Sequence, residues 1–153
     1  MLKAGDTVED FAGTTDKGES IRLSDVLLKG PVVLFFYPAA MTYGCTIESC
    51  HFRDLAAEFG EVGAQRVGIS ADSVDKQAQF VAKHDFDYPL IADTDKEIAK
   101  IFGVTRMGPL PNRRATFVID TDRTVLDAIT SETRMNSHAD KALEVLHSRL
   151  SQG

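Results

Sequence analysis

Cysteine is scarce in this chain of 153 residues: Cys45 and Cys50 are the only two. A chain this long buries enough surface to fold without covalent staples. So sparse a pair excludes a disulfide framework and leaves two readings for the thiols, packing or chemistry. Basic charge is also short, with 17 Lys and Arg against 23 Asp and Glu and a net charge of −6. That argues against nucleic acid, which attracts basic stripes, and against anionic membrane surfaces. Long apolar runs are missing. The longest largely apolar stretch, Pro31 to Met41, falls far below the ~20 residues of a membrane helix. No apolar segment follows Met1-Leu2-Lys3-Ala4-Gly5-Asp6, so no secretory signal is expected. No repeat, low-complexity tract or linker divides the chain, and a single domain over residues 1–153 is expected. These absences point to a cytoplasmic protein. In that reducing compartment a permanent disulfide is disfavoured and a transient catalytic one is allowed.

What is present is an alternation of strand and helix patterns. Asp10 to Leu23 reads as turns and short extended pieces around Asp16-Lys17-Gly18. Val32 to Tyr37 is a continuous β-branched and aromatic run between Gly30-Pro31 and Pro38, the pattern of a strand buried on both faces. Phe52, Leu55, Ala56 and Phe59 fall at i, i+3, i+4, i+7 and predict one helix stopped at Gly60. Gln65 to Ser70 and Tyr88 to Ala92 predict strands, separated by a helix capped by Ser73. Thr94 and Glu97 match a capping box for a short helix closed by Gly103. Ala115 to Ile119 and Thr124 to Ile129 predict a hairpin, and Ser137 the cap of a last helix. The expected fold class is α/β, with a mixed central sheet flanked by helices.

Cys45 falls where a loop after the first long strand turns into a helix. Sites in open α/β sheets gather at the carboxyl ends of strands. A helix start also presents unpaired N–H groups that favour thiolate over thiol. The spacing of the pair is more discriminating. In one ideal helix, residues five apart have Cα atoms roughly 8.7 Å from each other, beyond the ~7 Å that a disulfide tolerates. Cys45 and Cys50 therefore bond only if the first helical turns unwind. A Cys-x-x-Cys pair, at roughly 5 Å, bridges in place. The wider spacing leaves time for one thiol to be oxidised to a sulfenic acid before the other attacks it.

The run Pro38-Ala39-Ala40-Met41-Thr42-Tyr43-Gly44-Cys45, continued by Thr46-Ile47-Glu48-Ser49-Cys50, resembles the peroxiredoxins, and within them the peroxiredoxin Q or bacterioferritin comigratory protein subfamily. Arg114-Ala115-Thr116-Phe117-Val118-Ile119-Asp120 resembles that family's strand with its active-site arginine. The resemblance spans essentially the whole chain. It implies a thioredoxin-like fold with an N-terminal β-hairpin extension. It implies a thiol-dependent peroxidase, with Cys45 as the peroxidatic cysteine and Cys50 as the resolving one. Thr42 would orient peroxide and thiolate, although a helix cap is an equally natural use for it. Pro38 would shield the thiolate, and Arg114 would hold the peroxide oxygens and lower the cysteine pKa. Arg113 points the other way along a strand, so only one of the two arginines faces the site. Backbone N–H groups near Gly44 and Cys45 are further candidate donors. Glu48 opposes thiolate formation unless it pairs with an arginine, Arg114 being the candidate.

The resemblance further implies a peroxide substrate and a thioredoxin-like dithiol reductant, with no metal or organic cofactor. Ala40, Met41 and Tyr43 replace residues that are often polar or proline in the subfamily, which predicts a more apolar approach suited to organic hydroperoxides. The chain lacks the Gly-Gly-Leu-Gly and C-terminal Tyr-Phe segments of the large-ring relatives, implying a monomer or small homodimer that resists overoxidation. Competing readings are a thioredoxin-like disulfide reductase and a non-enzymatic thiol redox sensor. A metal site lacks a second cysteine pair. A Cys–His hydrolase needs an imidazole beside the sulfur, and His84, His138 and His147 are expected on the surfaces of helices.

Overall fold

The computed structural model describes residues 1–152; Gly153, the end of the expected domain, lies outside the described residues. In chain order the elements are β1 (Ala12–Thr14), β2 (Ser20–Arg22), α1 (Leu23–Val26), β3 (Val32–Phe36), α2 (Tyr43–Asp54), α3 (Ala56–Glu61), β4 (Gln65–Ser70), α4 (Val74–His84), β5 (Leu90–Ala92), α5 (Glu97–Phe102), β6 (Ala115–Ile119), β7 (Val125–Thr130) and α6 (Ser137–Gln152). The order across the main sheet is β5-β4-β3-β6-β7. β3, β4 and β5 run parallel, while β6 pairs antiparallel with both β3 and β7. β1 and β2 form a separate antiparallel hairpin. This is the mixed, thioredoxin-like α/β architecture with an N-terminal hairpin.

The central strand explains the two-layered core. All five residues of β3 are buried, and strand alternation sends them to opposite faces. Val32, Leu34 and Phe36 pack with Phe11, Ile98 and Phe102 under the N-terminal segment and α5. Val33 and Phe35 pack with Cys45, Phe52, Phe80 and Leu146 under α2, α4 and α6. The Phe35 and Phe52 rings stack with centroids 4.1 Å apart, fixing α2 on the strand that precedes it.

Several local expectations are corrected. The predicted Phe52–Phe59 helix is two helices, broken at Leu55, which lies outside the helical region at φ −96° and ψ 21°. At the break the Phe52 carbonyl accepts a guanidinium proton from Arg66 at 2.9 Å. Gly60 lies inside α3 and does not stop it. Gly63 does, at φ +68°, with Gly63 N–H bonded to Gly60 O at 3.1 Å and Ala64 N–H to Phe59 O at 3.0 Å. That is the Schellman closure, which needs a left-handed residue at this place.

Ser73 does cap α4, accepting from Lys76 N–H. Thr94 does not cap α5. The buried Asp93 carboxylate accepts from Ile98 N–H at 3.1 Å and Ala99 N–H at 2.9 Å instead, because a buried carboxylate needs such donors. Ser137 is no cap acceptor either: its hydroxyl donates to Arg134 O at 2.7 Å. Of the three histidines expected on the surface, His147 is exposed and His84 is half-buried against Phe80 and Phe86. His138 is fully buried.

Candidate active site

The site is assembled where β3 gives way to α2. Tyr37 N–H still bonds to Ile69 O at 3.0 Å. Pro38, half-buried, follows directly and ends the pairing, since it has no N–H to offer. The next turn is held from the side: Ala40 N–H donates to Asp72 Oδ2 at 2.7 Å, and Ser70 Oγ donates to the same oxygen at 2.6 Å. Ala40 is therefore buried and does not line the approach. Met41, at φ +69°, swings the chain into the helix.

Thr42 stands at the helix start in extended conformation and makes no side-chain cap. Its hydroxyl donates to Ala39 O at 2.7 Å, so the structure does not place it in hydrogen-bond contact with the sulfur. The first N–H groups of a helix have no partner within the helix, and those of Tyr43, Gly44 and Cys45 receive none from Thr42.

Cys45 lies in that first turn with its side chain buried. Arg114 Nη2 donates to its Sγ at 3.3 Å, and Arg114 Nη1 donates to Glu48 Oε1 at 2.6 Å. Glu48 is one helical turn beyond Cys45, so a single guanidinium spans both side chains. Arg114 is buried and Arg113 exposed, both on the segment that leads into β6. The Arg114 backbone N–H is fixed by Glu132 Oε1 at 2.9 Å, an oxygen that also accepts from Arg106. Gly44 makes the approach possible. A Cβ there would lie 2.8 Å from Met135 Cε and 3.2 Å from Arg114 Nη2.

The charges around the sulfur are unequal partners. Burial opposes the charge on Arg114, but Glu48 and Cys45 outweigh it and hold the guanidinium above its usual range. Glu48 is fully buried, and burial pushes its carboxyl up to about 8 despite the opposing pull of Arg114. The short contact and the raised value point different ways. The raised value prevails, because one charged donor on Oε1 does not replace the water lost by both oxygens. Around neutral pH Glu48 is thus an acid whose Oε1 still accepts from Arg114.

Cys50 lies further along the same unbroken helix, half-buried, and both cysteines are free thiols. Burial pushes the Cys50 thiol up. The Ser49 carbonyl beside it accepts from Tyr88 OH at 2.7 Å.

Sequence reasoning missed Asp72, Thr116, Glu132, Met135 and His138. Thr116 Oγ1 lies 2.7 Å from His138 Nδ1, which is itself 3.5 Å from Glu48 Oε2. His138 was legible: with Ala142 and Leu146 it continues the buried i, i+4, i+8 stripe of α6. Among the described residues, no group of three or more His, Cys, Asp or Glu is placed to hold a metal ion.

The AhpC/TSA family pattern matches residues 4–128. Peroxiredoxin Bcp of Bacillus subtilis is 33% identical over 152 residues, covering 95% of each chain. The crystal structure of peroxidoxin BcpB from Mycobacterium tuberculosis superposes with a TM-score of 0.94 at 58% identity, covering 97% of this chain and 98% of that one. A bacterioferritin comigratory protein of Xanthomonas campestris, described for its alkyl peroxide reduction activity, superposes with a TM-score of 0.83 at 30% identity over 91% of each chain. With that fold and its paired thiols, the chain belongs to the AhpC/TSA family, in the Bcp/PrxQ branch of the peroxiredoxins, whose chemistry is that of a thiol peroxidase.

Proposed function

We propose that Cys45 is the peroxidatic cysteine, Cys50 the resolving one, and alkyl hydroperoxides the better substrates. The observation that carries this reading is the 3.3 Å contact from Arg114 to Cys45 Sγ at a helix start whose N–H groups Thr42 leaves uncapped. A cationic donor binds a thiolate more strongly than a thiol. The Cys45 thiolate attacks the terminal oxygen of ROOH. The S–O bond forms, the O–O bond breaks, and RO⁻ leaves to take up a proton as ROH. Charge develops on both oxygens, so fixed donors aimed there lower the barrier. Arg114 and the N–H groups of Gly44 and Cys45 are those donors. Thr42, whose hydroxyl proton is committed to Ala39 O, accepts a hydrogen bond from the peroxide O–H through its lone pairs, and that proton stays with the oxygen transferred to sulfur. Pro38 shields the sulfur, and Glu48 holds Arg114 in place.

The Cys45 sulfenic acid then condenses with the Cys50 thiol, releasing water and forming the disulfide. With α2 continuous from Tyr43 to Asp54, closure requires its first turns to open. A thioredoxin-like dithiol restores both thiols by exchange. The chain acts as a monomer or small homodimer in the cytoplasm. Tyr43, 85% exposed, and Met41, 38% exposed, give the approach an apolar rim, which favours alkyl chains.

Steady-state consumption of cumene hydroperoxide and hydrogen peroxide, with thioredoxin and its reductase as the electron source, tests the reading. Continuous turnover with the higher catalytic efficiency on cumene hydroperoxide is expected. Oxidation that stops after one equivalent identifies a sensor. Insulin reduction without peroxide turnover identifies a disulfide reductase.

A further inference from the structure

Residues 131–136, between β7 and α6, belong to no helix or strand, yet they are tied down along their length. Glu132 Oε1 accepts from the Arg114 N–H and from Arg106 Nη2, each at 2.9 Å. Ser131 O is 2.8 Å from His138 Nε2, and Ser131 Oγ accepts from Arg134 N–H at 2.9 Å. Ser137 closes the turn, its hydroxyl and its N–H both donating to Arg134 O, at 2.7 and 3.1 Å. Between these ties stands Met135, half-buried. The end of its side chain meets the start of α2. A Cβ placed on Gly44 would lie 2.8 Å from Met135 Cε, 3.5 Å from Met135 Sδ and 3.2 Å from Arg114 Nη2. Nη2 is also the atom that donates to Cys45 Sγ, at 3.3 Å. A thioether and a guanidinium therefore converge on one point over Gly44, and the missing side chain leaves that point open.

Resting on the roles given above to Cys45 and Arg114, we propose that Met135 is a specificity-determining residue, whose thioether receives the organic group of the hydroperoxide over Gly44 while Arg114 and the helix N–H groups hold the oxygens. The division follows from polarity. The two peroxide oxygens need donors, and the guanidinium and the first N–H groups of α2 supply them. The R group needs an apolar surface, and of the two side chains that meet over Gly44 the thioether is the apolar one. Met41 and Tyr43, being exposed, form the outer rim of the approach, whereas Met135 stands beside the donors themselves. The ties at Glu132, Ser131 and Arg134 fix its backbone. Its own three rotatable bonds let the thioether fit R groups of different shape, and sulfur packs favourably against an aromatic ring. Hydrogen peroxide has no R group and gains nothing from this contact. Met135 thus adds a preference that grows with the size of R, greatest for an aryl-bearing hydroperoxide.

The test is the rate constant for Cys45 oxidation in a single turnover, which needs no reductant, with hydrogen peroxide, tert-butyl hydroperoxide and cumene hydroperoxide. The readout is the ratio of the cumene to the hydrogen peroxide rate constant, because a general disturbance of the site slows both peroxides and leaves their ratio alone. In Met135→Ala the ratio is expected to fall by about 10-fold or more, the worth of a lost apolar contact in a pocket, with tert-butyl hydroperoxide in between. Met135→Gln, of similar length but polar, is expected to lower the ratio as well, and it serves if the alanine variant lets the segment collapse. Met135→Leu keeps volume and polarity and is expected to hold the ratio to within about threefold. Equal losses for the three peroxides in Met135→Ala, or a ratio that rises because the thioether obstructs R, overturn the proposal. Should the wild type itself prefer hydrogen peroxide, the reading of alkyl hydroperoxides as the better substrates would fall, while the change of the ratio between wild type and Met135→Ala would still decide the role of Met135.

Discussion

Glu48→Gln should uncouple the stability of this protein from pH over one particular window. The carboxyl rises from 4.5 to about 8 on folding, so the folded state holds this proton more tightly than the unfolded chain does. The stability it contributes is complete below about pH 4.5 and is lost as pH rises through about 8. At ~1.4 kcal/mol per pH unit, the loss accumulates to about 3–5 kcal/mol across the window. That is a large share of the ~5–15 kcal/mol that holds a domain folded. Glutamine carries no such proton. Buried Asp93, also raised, titrates in both proteins and cancels in the difference. Urea unfolding of the reduced wild type and Glu48→Gln, followed by circular dichroism at several pH values between 5 and 9, measures it. The variant is expected to gain on the wild type steadily as pH rises. A difference constant to within about 0.5 kcal/mol would show that Glu48 is ionised in the folded protein and refute the reasoning.

Other perturbations follow from the same geometry. Arg114→Lys leaves one ammonium where two guanidinium nitrogens serve Cys45 and Glu48, and stopped-flow oxidation of Cys45 should slow by about 100-fold. Gly44→Ala sets a methyl group against Met135 and Arg114. The flexible methionine can yield, so the melting temperature should change little while the peroxide step slows by about 10-fold or more. Asp72→Ala frees the Ala40 N–H, and the same assay should report slower oxidation with the disulfide-forming step unchanged. Tyr88→Phe removes the hydroxyl on Ser49 O. It should cost about 1 kcal/mol in urea unfolding and, by loosening α2 beside Cys50, speed closure of the disulfide after oxidation.

Much of this molecule is legible in its sequence because one strand and one spacing dominate it. The run Val32–Phe36 has the composition of a strand buried on both faces, and it lies at the centre of the sheet. The Pro38 to Cys50 run carries the resemblance that places two thiols on one helix, and the resemblance also picks Arg114 over Arg113, strand alternation requiring only that one of the two face the site. The errors are of another kind. Leu55 breaks a helix that its periodicity supports, because Arg66 from β4 binds the Phe52 carbonyl. Asp93 displaces Thr94 as cap because burial of a carboxylate demands donors. Its place on a helix with no motif around it suggests a surface position for His138, yet it meets Thr116 across 22 positions of sequence. The Arg66 and Thr116 contacts join distant segments, which no local pattern encodes, whereas Asp93 caps residues only five and six positions ahead and what the sequence hid there was its burial. Ala40 shows the same limit. Its apolar side chain suggests a place on the approach, but its N–H donates to Asp72 and it lies buried.

The division of labour between the two sulfurs is tested most directly by single-turnover oxidation of Cys45→Ser and Cys50→Ser, with the products trapped and weighed by mass spectrometry. Cys45→Ser is expected to leave peroxide untouched. Cys50→Ser is expected to consume one equivalent at the wild-type rate and to hold a sulfenic acid on Cys45, captured by dimedone, with no intramolecular disulfide. Peroxide consumption by Cys45→Ser, or full cycling of Cys50→Ser with the same dithiol reductant, would contradict the account.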